Sequence, residues 1–158
     1  MGDRTYVSLL VPLELAEATR EALAAACEAA DNETEEGDHL YLNFAEVNYG
    51  ELDGLENLRV TGIPYSVHWD AGDSYGAGDK HLRFTEQGEV ILIEVYDEDR
   101  GINPSALQTV LKAEDVRAAL TELLDRHRRK TVPLPWENQV EYGKRYLARQ
   151  LLEGTPTQ

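Results

Sequence analysis

The stretch KHLRFTEQGEVILIEVYDED, Lys80 to Asp99, constrains the fold more than any other part of this 158-residue chain. Leu82 and Phe84 alternate onto one face of a strand, a turn falls at Glu86 to Gly88, and Val90 to Tyr96 form the most apolar strand of the sequence. Strands joined by so short a turn pair antiparallel. Just upstream, YSVHW has the same alternation, with Tyr65, Val67 and Trp69 on one side. A third strand therefore precedes the hairpin.

The chain opens on TYVSLLVP, an apolar run of strand length, followed by LELAEATREALAAACEAA, which is rich in strong helix formers. At 100° per residue, Leu15, Thr19, Ala22, Leu23, Ala26 and Ala30 share one side of that helix, and Glu14, Glu17, Glu21, Glu28 and Asp31 share the other. DNETEEGD, Asp31 to Asp38, holds no apolar residue and is expected to be a loop, after which HLYLNFAEVNY forms a strand. Leu52 to Val60 reads as a short helix stopped by Gly62 and Pro64. Asn103 as N-cap and Pro104 at the first helical position start a C-terminal helical region. It continues with Val116, Leu120, Leu123 and His127 on one stripe, breaks at VPLP, and ends in a helix from Trp136 to Leu152. The expectation is a single α+β domain over residues 1–152. It has one largely antiparallel sheet of about five strands, helices on one face, a ferredoxin-like β-α-β start with a right-handed crossover, and extra C-terminal helices. Residues 153–158 should form a flexible tail.

Charge separates the classes of partner. The chain carries 30 Asp and Glu against 15 Lys and Arg, a formal net of −15. Residues 1–100 hold 23 acids and 6 bases, residues 101–158 hold 7 and 9, so the acidity belongs to the first two thirds. Ordinary non-specific binding to nucleic acid or to an anionic membrane is excluded. No apolar run reaches the ~18 residues of a membrane span, and MGDRTYVSLLVPLELAE shows neither a basic leader nor a small-residue cleavage site. A soluble protein of the bacterial cytoplasm is expected. Cys27, the one cysteine, rules out an internal disulfide, and its setting AAACEAA suggests small helical core packing.

HWDAGDSYGAGDKHLRF, His68 to Phe84, gathers most of the chemistry-bearing side chains. If its two strands pair, His68, His81 and Arg83 share a sheet face, with Asp70, Asp73 and Asp79 at its end. Such a group could act on a phosphate ester, histidine carrying the proton and arginine the oxyanion, or could hold a small ligand or metal. The spacing matches none of the known templates: H-x-T or H-x-S twice, the G-x-x-x-x-G-K-[ST] phosphate cradle, the D-x-[DN]-x-[DN]-G calcium loop, or H-E-x-x-H. Gly72, Gly76 and Gly78 more simply allow a wide loop, with aspartates favouring the turns. No catalytic residue, cofactor or metal is expected on this account.

The acidic helix face is the other candidate. Glu14 to Glu28 spreads four carboxylates over ~21 Å, too sparse for even one nucleic-acid strand. Glu33, Glu35 and Glu36 from the next segment, with Glu94, Asp97, Glu98 and Asp99 after the last strand, would raise the density towards that of a duplex if they lie beside the helix. The expected partner-binding residues are Glu17, Glu21, Glu28, Glu33, Glu35, Glu36, Asp97, Glu98 and Asp99. RHRRK, Arg126 to Lys130, suits a helix C-terminus and could also pair with the acidic patch of a second copy, so a homodimer is plausible.

This acidic character, together with FAEVNYGELDGLENLRVTGIPYSVHWDAGDSYGAG, resembles the small acidic proteins of phages and plasmids. Among those, anti-CRISPR and anti-restriction inhibitors occlude nucleic-acid-binding surfaces by mimicking DNA. The resemblance implies a non-enzymatic protein that blocks a basic, nucleic-acid-binding surface of a partner, with no nucleic acid or membrane bound directly. The alternatives are an enzyme or ligand binder working through His68, His81 and Arg83 with Asp70 or Asp73, and a self-assembling structural protein.

Overall fold

In the computed structural model, which describes residues 3–153, the opening apolar run is strand β1 (Arg4–Pro12). Thr5, Val7, Leu9 and Val11 are buried along it and define the core face of the sheet. A 3-10 turn leads to α1 (Ala16–Ala24), then follow β2 (Asn32–Glu36), β3 (His39–Asn48), α2 (Leu55–Val60), β4 (Tyr65–Trp69), β5 (Gly78–Phe84) and β6 (Val90–Tyr96). A second 3-10 turn, Asp97–Arg100, precedes α3 (Pro104–Leu111), α4 (Val116–Thr131) and α5 (Gln139–Glu153). The strand order is β2-β3-β1-β4-β5-β6, and every neighbouring pair is antiparallel. The α+β class and the C-terminal helices match the expectation; the strand number is six.

The additional strand is β2, inside the segment expected to be a loop. Its residues NETEE are all exposed, so no hydrophobic alternation marks them. A ladder to β3 makes the strand, from Asn32 opposite Asn43 to Glu36 opposite His39. As an edge strand it carries carboxylates, which discourage pairing with another chain. It also corrects the opening topology. β3, the expected second strand of the crossover, lies beside β1 and antiparallel to it. β2 is the strand parallel to β1, with β3 between them, so the split β-α-β unit is β1-α1-β2.

Helix α1 buries Thr19, Ala22 and Leu23, the stripe its periodicity predicts, but stops at Ala24. The chain then turns through Cys27 at φ 60°, so Glu28 does not continue the helical acidic face. Cys27 is exposed, which corrects its expected core position. Of the expected tail, Glu153 belongs to α5, and 154–158 lie outside the described residues.

Helices lie on both faces, which corrects the one-sided expectation. On the core face, Leu23 of α1, Leu58 of α2 and Tyr146 of α5 join Leu9, Leu42, Val67 and Phe84 in a single core. Gly143 of α5 sits against the Gly62 carbonyl, where an added Cβ would come within 2.1 Å. Gln139 then caps the end of β5: its side-chain oxygen accepts from the Phe84 N–H (2.8 Å) and its nitrogen donates to the Phe84 carbonyl (3.1 Å). On the opposite face α4 packs over β6, where Ile93 and Val95 are buried. Leu123 and His127 turn partly inward there, whereas Val116 and Leu120 of the same expected stripe stay exposed. Among the described residues, no helix is long and apolar enough to cross a membrane.

Candidate functional site

β4 and β5 pair as the polar stretch requires, with His68 opposite Asp79 and Ser66 opposite His81. His68 and His81 are therefore diagonal neighbours on the face opposite the core. His68 Nδ1 lies 2.9 Å from Asp79 Oδ1 and its Nε2 3.5 Å from Asp70, while Arg100 binds the other Asp79 oxygen. Asp73 stands exposed in the connecting loop and is not brought to the histidines.

Arg83 has a different task from the one its position in the stretch suggested. It is buried, and four of its five N–H groups donate to the Leu134, Tyr65 and Leu82 carbonyls and to Ser66 Oγ. Its guanidinium lies 3.5 Å from the Trp136 ring centroid, so it fastens the α4–α5 connection to the sheet. Burial pushes its pKa down to about 10. His81, with Nδ1 2.8 Å from Ser66 Oγ, is pushed down to about 4 by burial and by the Arg83 charge, and is neutral at pH 7. Neither a free guanidinium fork nor a protonated His81 faces a substrate here. Among the described residues, no group of three or more His, Cys, Asp or Glu is arranged to hold a metal ion.

The acidic residues divide by sheet edge. Glu33 and Glu35 sit on β2 and Asp97, Glu98 and Asp99 follow β6, with four strands between, or ~24 Å at the usual spacing. They do not form a patch by themselves. Glu36, opposite His39, faces away from the core side. Continuity comes from Glu51, Asp53 and Glu56, which the sequence reading left out. Arg20 of α1 binds Glu33 (2.7 Å), and Glu33, Glu35 and Glu17 all raise its pKa, which puts α1 beside β2. α1 packs on α2, whose approach carries Glu51, Asp53 and Glu56. Glu94, Glu51 and Asp99 in turn raise the Tyr96 pKa, which places them around one ring. A band thus runs from β2 over α1 and α2 to β6 on the core side. Its residues are Glu17, Glu21, Glu33, Glu35, Glu51, Asp53, Glu56 and Glu94, against Arg20, Arg59 and Lys80; Asp99 lies beyond its end, where it also lines the cleft under α4 with Arg126, Arg129 and Lys130. Eight carboxylates less three cations over ~24 Å give about one net charge per 5 Å, well short of duplex density (~1.7 Å) and somewhat below that of a single strand (~3.4 Å).

Inside that band is a pocket of about 750 Å³. It exists because the core-side helices leave β6 bare: Leu92, opposite the fully buried Leu82, is 52% exposed. Trp69, Tyr49, Tyr65, Tyr75 and Tyr96 line it. Gly78 leaves room for the Trp69 ring, because a Cβ there would come within 2.5 Å of Cζ2. The indole N–H donates to the Gly76 carbonyl (3.0 Å), and the ring meets Tyr96 edge-on at 5.8 Å. Burial pushes the Tyr65 hydroxyl up to about 12. On the rim, Arg59 binds Glu56, Lys80 binds Glu94 (3.1 Å), and Tyr96 donates to Glu94 (3.0 Å). The side-chain carboxylates of Glu51 and Asp53 make no hydrogen bond or ion pair among the described residues. No spacing rule marks these positions; the only local signal is tyrosine and carboxylate crowding in YGELDGLE, 49–56.

Comparison with known protein families, characterised proteins and solved structures finds no match for this chain.

Proposed function

We propose that this chain is a non-enzymatic inhibitor of the anti-restriction or anti-CRISPR kind. It covers a basic, nucleic-acid-binding surface of a partner protein in the bacterial cytoplasm. The observation that carries this reading is the acidic band from β2 across α1 and α2 to β6, in which Arg20, Arg59 and Lys80 are each paired with one of its carboxylates and Glu51 and Asp53 have no cation among the described residues. Its density is nearer that of a single strand than that of a duplex. A field of this sign speeds encounter with a basic surface, repels nucleic acid, and weakens as salt rises.

The test is capture of partners from the source cell on immobilised protein, with single-stranded oligonucleotide as competitor. A nucleic-acid-binding protein should be retained, be displaced by the oligonucleotide, and be lost when Glu17→Lys, Glu21→Lys and Glu35→Lys are combined. Retention unchanged by all three reversals rejects the reading.

A further inference from the structure

We infer that the aromatic pocket is the anchor point of this surface and takes the guanidinium of a partner's arginine side chain. The assignment rests on the inhibitor reading for the source of the arginine, and on the pocket's own chemistry for the cation. Flat aromatic walls and free carboxylates are the two things a guanidinium uses at once: its plane stacks on a ring while its N–H fork binds an oxygen pair. Tyr49 and Tyr96 supply the accessible rings, over a floor of Trp69 that Gly78 and the Gly76 carbonyl already hold in place, so little ordering is needed on binding. Glu51 and Asp53 are the rim carboxylates with no cation of their own, whereas Glu56 and Glu94 are already matched by Arg59 and Lys80.

Competing ligands fit less well. A nucleotide would stack on the same rings but bring phosphate against Glu51, Asp53 and Glu94. A purely apolar side chain would leave the free carboxylates partly desolvated and unpaired. The protein also uses the same pairing internally, where Arg83 lies on Trp136. On the same wall, the Tyr75 hydroxyl is buried with no partner among the described residues, which a seated ligand or a small turn of its loop would satisfy. The volume accommodates an arginine with the residues flanking it, within the usual range of ligand sites.

The experiment follows the Trp69 indole N–H by NMR while N-acetyl-arginine amide, its lysine counterpart or its uncharged citrulline counterpart is added. The arginine compound should shift the Trp69 signal with saturation, the citrulline compound should not, and the lysine compound should bind more weakly. Glu51→Gln with Asp53→Asn should weaken arginine binding at least about tenfold and leave the spectrum otherwise folded. Glu17→Lys with Glu21→Lys, outside the pocket, should leave it unchanged. Equal shifts from all three compounds, or none from arginine, overturn the assignment even if partner capture behaves as proposed. Arginine binding with capture unaffected by band reversal keeps the pocket and removes the inhibitor reading.

Discussion

At the level of single residues, polar groups in this protein are spent on holding segments together. Arg83 and Gln139 both come from stretches of mixed polarity, and both are almost fully buried, with all but the Arg83–Ser66 hydrogen bond made to backbone. Gln139→Ala leaves the Phe84 N–H and carbonyl buried without a partner. At ~1–3 kcal/mol per orphaned group, urea unfolding should show a loss of ~2–6 kcal/mol. His81 gives the chain an acid-sensitive point. Its folded pKa, about 4, lies below the ordinary 6.5, so the unfolded chain binds the proton first. Stability from this group is whole above about pH 6.5 and is lost progressively as pH falls towards 4. The melting temperature of His81→Asn should therefore change less than that of the parent across this window. That His68 and His81 share a sheet face was legible from alternation alone. The burial of Arg83 was not, because it depends on Leu134 and Trp136, some fifty residues away.

Among the elements, those with a strong internal pattern were legible, and those made by their neighbours were not. The β5–β6 hairpin and the Asn103 cap, whose side chain accepts from the Ser105 N–H, both announce themselves locally. β2 has no apolar residue and becomes a strand only because β3 offers a free edge. α1 is shorter than its alanine-rich sequence suggests, since the chain must turn at Cys27 to reach that edge. α5 depends on close approach to the 62–63 turn. Gly143→Ala should raise intrinsic helicity by up to ~1 kcal/mol yet lower overall stability by more than that, because the Gly62 carbonyl occupies the space. Thermal unfolding decides the sign. On β2, Glu33→Val with Glu35→Val removes the charges that guard the edge, and light scattering should show increased self-association.

For the molecule as a whole, the net charge of −15 matters through its placement. Acids from both edges of a six-stranded sheet join through α1 and α2 on the side where β6 is left uncovered. Partner capture should fall steeply with salt, being largely lost by about 0.5 M, as the screening length drops well below the ~10 Å of 0.1 M salt. Capture that persists unchanged at that salt would mean that the band does not carry the contact.

Local order along the chain was enough to specify an antiparallel α+β domain, its helical C-terminal third and its own excess of negative charge. Side-chain alternation, capping and charge count are properties of neighbours in sequence. Only the folded chain decided that β2 exists, that Arg83 serves as a clamp, and that Glu51, Asp53 and Trp69 share a pocket. Each of these depends on contacts between segments far apart in sequence, where packing and pairing outweigh what any short stretch prefers on its own.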